Sequence, residues 1–101
     1  MATTPKALYR GAATTTTTTT LYTVPSATTA VVTSVVVTNT SGSAGTFTLT
    51  LDDVDVATTV SVGANDSTVF EFKQVLAATE TIKGGASATT INFHISGVEI
   101  S

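Results

Sequence analysis

Apolar and polar residues alternate with period two along most of the chain, the spacing of strands half-buried in a sheet. The clearest case is Thr46 to Leu51, where Phe47, Leu49 and Leu51 fall on one face and Thr46, Thr48 and Thr50 on the other. Near the C-terminus Ile91, Phe93 and Ile95 alternate with Asn92, His94 and Ser96 as far as Gly97. Beyond it Val98 and Ile100 carry the apolar side chains, and a change of phase at glycine predicts a β-bulge there. Thr29 to Asn39 is the richest segment. Valine fills odd positions 31, 35 and 37 and even positions 32 and 36, which predicts burial on both faces.

The remaining strands follow from shorter runs. Ala7 to Arg10 is a candidate ahead of Gly11, and Thr16 to Val24 is a second, closed by Pro25, which cannot donate to a central ladder. Asp52-Asp53 forms a turn into a short return through Val54 and Val56, with Val60 and Val62 a further apolar pair. After the turn Gly63-Ala64-Asn65-Asp66, Thr68 to Phe72 points Phe70 and Phe72 inward. Ala77-Ala78-Thr79-Glu80 then turns the chain into Thr81-Ile82-Lys83, which Gly84-Gly85 ends. No window of eleven residues carries a helical stripe. The pattern predicts an all-β fold: a single-domain antiparallel β-sandwich, jelly-roll or Ig-like, of about eight short strands. At 101 residues there is room for one domain, with residues 1–13 an N-terminal arm or first strand and residues 14–101 the sandwich.

Composition strengthens the strand reading. Threonine holds 25 positions, seven of them in the unbroken run Thr14 to Thr20. As a low-complexity run it reads either as a flexible tether between an N-terminal arm and the domain or, since a β-branched residue suits a pleated surface, as the extended opening of the strand that reaches Val24, and the extended reading is favoured. Cysteine is absent, so neither disulfides nor thiolate metal sites contribute. Four basic residues against seven acidic ones leave a net charge of −3 with no basic cluster, which argues against nucleic-acid binding. The apolar runs are too short to cross a membrane as helices. The N-terminus lacks a basic stretch followed by an apolar one, so synthesis in a cytoplasm is expected. Only 11% of residues are charged, against about a quarter in ordinary globular chains, which predicts that part of the surface lies against partners.

Residues that carry chemistry do not assemble into a motif. His94 is the one histidine, and its strand phase turns it away from the core beside Asn92 and Ser96, with no carboxylate to orient it. Asp52, Asp53 and Asp55 begin like a calcium loop. Counted from Asp53, however, the required glycine and glutamate positions hold Thr58 and Ala64. Gly84-Gly85 lacks the lysine and helix of a phosphate loop. The expectation is no enzyme, no cofactor and no metal. Tyr9 and Tyr22 are the only aromatics with a polar handle, and either suits an interface.

Three stretches resemble small virion proteins of tailed bacteriophages. They are Ala7-Leu8-Tyr9-Arg10-Gly11 with Leu21-Tyr22-Thr23-Val24-Pro25; Val31 to Thr40 running into Ala44 to Leu49; and Val75 to Ile82 followed by His94 to Ile100. The resemblance implies a β-sandwich displayed in many copies on the capsid surface, commonly as trimers. The function it implies is a capsid decoration protein that binds the major capsid protein and stabilises the head. On that reading residues 2–13 reach to a neighbour, with Leu8 and Tyr9 as apolar anchors, Arg10 pairing a carboxylate or carbonyl, and Tyr22 as a fourth interface candidate. The competing expectation is a tail or fibre module that binds host glycan or another virion protein, disfavoured by the absence of tryptophan.

Overall fold

The computed structural model describes residues 2–101, apart from the side chain of Phe72, whose expected inward position lies outside what is described. Eight strands form: β1 (Thr3–Ala12), β2 (Thr20–Thr23), β3 (Thr29–Asn39), β4 (Gly45–Leu51), β5 (Val54–Val62), β6 (Ser67–Leu76), β7 (Thr81–Ala86) and β8 (Ile91–Ile100). They make two four-stranded antiparallel sheets, ordered β1-β8-β3-β6 and β2-β7-β4-β5. Only β4 and β5 are consecutive neighbours within a sheet; every other connection except that hairpin crosses from one layer to the other. This order is a jelly roll and not an immunoglobulin-type sandwich.

The core is what the alternation requires. Phe47 and Leu49 of β4 meet Val32, Val35 and Val37 of β3 and Ile91, Phe93 and Ile95 of β8, all essentially inaccessible to solvent. Phe47 bridges the layers, its ring 6.0 Å from that of Phe93 in an edge-on contact and 5.7 Å from that of Phe70. Asn39 is the one strongly polar residue buried in this region. Its Nδ2 donates to the Ser43 carbonyl at 2.8 Å and the Gly63 carbonyl at 3.3 Å, and its Oδ1 accepts from the Ser41 amide at 3.0 Å. One side chain thus ties the β3–β4 loop to the β5–β6 turn, and its polarity is satisfied.

Several expectations are corrected. Gly97 does not shift the phase of β8, which runs Ile91, Phe93, Ile95, Gly97 inward without a break. The irregularity lies in its neighbours: Leu8 is the extra residue of β1, opposite the step from Ile95 to Ser96, and Thr33 the extra residue of β3, opposite the step from Ser96 to Gly97. A Cβ on Gly97 would lie 2.3 Å from the Val31 carbonyl oxygen and 2.9 Å from Leu8 Cδ1, so glycine makes room for the bulge. The extra residue at Thr33 also explains the valines of β3. It carries the inward phase from Val32 to Val35 and Val37 and leaves only Val31 and Val36 on the outer face.

The threonine tract is not a strand. Only Thr20 enters β2; Thr14 to Thr19 fold into a loop closed on itself. Thr14 Oγ1 lies 2.6 Å from Thr19 Oγ1, and both hydroxyls donate to the Thr16 carbonyl, at 3.0 and 2.8 Å. Short hydroxyl side chains bond nearby backbone and so compete with a sheet ladder, which here wins over β propensity. Gly84 and Gly85 do not end a segment but sit inside β7, and the Ala86 and Gly84 amides donate to the Thr14 and Thr19 carbonyls. A Cβ at Gly85 would fall 2.4 Å from the Thr16 carbonyl oxygen, so the loop can lie on β7 only over glycine. The two valine pairs of residues 54–62 belong to one strand, β5, bent by two register shifts. Asp52 and Asp53 do form the expected turn, both with positive φ (52° and 61°).

Candidate functional site

The two layers meet along two flanks, and these differ. On the first, edge strands β1 and β2 close over the core. Leu8 projects inward and is 6% exposed, and Tyr22 of β2 is equally sheltered. The Tyr22 hydroxyl donates to Glu99 Oε2, and Lys6 Nζ stands 3.4 Å from the same carboxylate oxygen. Glu99 keeps an inward phase in β8 opposite Thr4 of β1, so this trio links three strands from both layers. The hydrogen bond from Tyr22 and, less strongly, Lys6 hold the Glu99 carboxyl below its ordinary range. Burial, then the hydrogen bond and charge of Glu99, push the Tyr22 hydroxyl well above its usual value.

Of the four interface residues expected from sequence, Leu8 and Tyr22 therefore belong to the protein's own core. Tyr9 is half-buried, packed on that core, and donates its hydroxyl to the Ala12 carbonyl at 3.0 Å. Arg10 alone is fully presented to solvent, on the outer face of β1 beside His94. Residues 3–12 run the length of β8 as its partner strand, which leaves no free arm among them.

The second flank, between edge strands β5 and β6, is open. Val54 is 66% exposed, Val69 56% and Val75 67%, with Val56 beside them. Shallow grooves run between the strands, one lined by Val56, Val69, Phe70 and Glu71, the next by Val54, Asp55, Gln74, Val75 and Glu80 among others. At its end Asp52 has its carboxyl raised, chiefly by the hydrogen bond to Glu80 and by the charge of that neighbour. The charge of Lys83, which pairs with Asp53 at 2.9 Å, offsets part of this.

The outer face of the first sheet adds an apolar row. Pro5 pairs Val98, Val98 pairs Val31 and Val31 pairs Val75, so four strands contribute one residue each. That row ends at the free edge of β6. The exposed valines were legible in part: Val69 and Val75 stand at the phase opposite Phe70, where a solvated strand carries polar residues.

Among the described residues no group of three or more His, Cys, Asp or Glu is placed to hold a metal ion. His94 faces Arg10 and Val36 across the ladder, with no carboxylate at either register position.

No family model and no curated protein matches the chain. Among solved structures it is similar to two crystal structures of a pentameric capsid protein isolated from metagenomic phage sequences, each at 18% identity. The alignments cover 96% of this chain and 58% and 60% of those chains, with TM-scores of 0.37 and 0.35. This chain spans about three-fifths of their length, and at these scores neither likeness transfers a role.

Proposed function

We propose that this chain is a non-catalytic structural subunit of a tailed-phage virion, a decoration protein that stabilises the head by contacting both its own copies and the major capsid protein. The observation that carries this reading is the open β5/β6 flank: valines more than half exposed on an edge, in a chain with only 11% charged residues. A chain that remained a monomer in water would place polar side chains there, since exposed apolar clusters mark interaction surfaces. Support also comes from the sequence resemblance to small phage virion proteins. The jelly roll is an architecture shared by capsid and lectin domains, which agrees with the reading by analogy of fold alone.

The test is to mix the purified protein with capsids stripped of accessory proteins. Co-sedimentation with the shells and a higher temperature of shell disruption are expected. A protein that stays in the supernatant and leaves disruption unchanged refutes the assignment.

A further inference from the structure

We propose that β6 is a self-association strand: its free edge takes β6 of a second copy, antiparallel, with Val69 opposite the partner's Val75 and Glu71 opposite the partner's Lys73. This goes beyond the virion reading and does not depend on it.

The backbone sets which registers are possible. Antiparallel ladders alternate, each residue turning its amide and carbonyl to one neighbour only. The Ala13 amide donates to the Ile91 carbonyl, the Thr40 amide to the Thr90 carbonyl, and the Asn39 amide to the Asp66 carbonyl. Followed through the pairings of β8 with β3 and of β3 with β6, this alternation directs Thr68, Phe70, Gln74 and Leu76 at β3. Val69, Glu71, Lys73 and Val75 therefore present unpaired amides and carbonyls to the free edge. The same four side chains stand on the outer face and are exposed.

Two copies of β6 can pair only with these residues facing one another. Centring the pair on Phe72 sets Glu71 against the partner's Lys73 and Val69 against the partner's Val75, each twice by symmetry. Moving the centre to Glu71 or to Lys73 places like charges directly opposite, which is destabilising. The order Val-Glu-Lys-Val is thus complementary to its own reverse, the requirement of a two-fold contact. The apolar row that ends at Val75 then continues onto the partner's Val69.

The other edges are guarded. Pro5 directs its missing N–H to the free side of β1, since the alternation turns Thr4 and Lys6 toward β8. Strand β5 is broken by two register shifts, with Thr59 at positive φ, and β2 has only four residues. Strand β6 has ten, and its irregularity against β3 leaves its own alternation intact. One added strand pair is a small contact, so the dimer is weak and depends on concentration.

Sedimentation equilibrium on the isolated chain across the micromolar to millimolar range tests this without capsids, so its outcome is separate from that of the virion reading. A reversible dimer is expected. E71K and K73E each weaken it about tenfold by setting like charges opposite, and the double variant E71K/K73E restores it. Both sites are exposed, so all three variants fold. Amide exchange at Glu71 and Lys73 slows as the concentration rises. A wild-type chain that stays monomeric, a dimer indifferent to the single variants, or a double variant that remains dissociated overturns the proposal.

Discussion

The β1/β2 and β5/β6 flanks are built from the same kind of edge strand and end up with opposite characters. On the first, Tyr22, Glu99 and Lys6 join the two layers, Leu8 plugs the space over Gly97, and Pro5 removes an edge donor. On the second, Val54, Val69 and Val75 remain in water, and Asp52 lies beside Glu80 instead of beside a base. Even the carboxyls report it: Glu99 is held below its ordinary range and Asp52 above it. The lesson is that one edge is finished within the chain and the other is left for something outside it.

The largest test of that contrast is Leu8→Ala. It removes a buried side chain that the bulge cannot refill and is expected to cost about 2–5 kcal/mol, whereas Val75→Thr on the open flank stays within about 0.5 kcal/mol. Urea denaturation followed by circular dichroism measures both. Equal losses in the two variants would erase the distinction between flanks.

Tyr22→Phe probes the closed flank more finely. It deprives Glu99 of its strongest donor and is expected to cost about 1 kcal/mol at neutral pH. Because the folded carboxyl titrates below its ordinary value of 4.5, the stabilisation is present above that pH. It is lost as the pH falls through the folded value, so wild type and variant converge in acid. Curves that remain parallel down to low pH would remove Glu99 from the account.

The smallest effect is expected at Asp52→Asn. A raised folded carboxyl favours the protein below its ordinary value of 3.8 and disfavours it as the pH rises through the folded value. The variant should therefore melt slightly higher than wild type at neutral pH and no higher in strong acid, as scanning calorimetry would show. A lower melting temperature at neutral pH would overturn the account in which Glu80 sets the Asp52 carboxyl.

The interface candidates show how far pattern reading reaches. Leu8 and Tyr9 are adjacent, and a regular strand of period two points only one of them inward. The bulge lets both pack on the core, one buried and one half-buried, and no local signal announces which strand will bulge. Glu99 carries no local signal, since its partner Tyr22 is 77 residues away in the chain. Val69 and Val75 could have been found, since their phase contradicts a solvated strand face.

What the sequence determined by itself is the all-β class and the buried side of the strands that alternate cleanly. Alternation of Phe47, Leu49 and Leu51, or of Ile91, Phe93 and Ile95, is a local property, and the period of a strand allows one reading of it. The strand order, the bulges at Leu8 and Thr33, and the loop of Thr14 to Thr19 were decided only by the tertiary structure. Each depends on a close approach between segments distant in sequence: Leu8 over Gly97, the Thr16 carbonyl over Gly85. A glycine's missing side chain has meaning only once the atoms that need its space are in place.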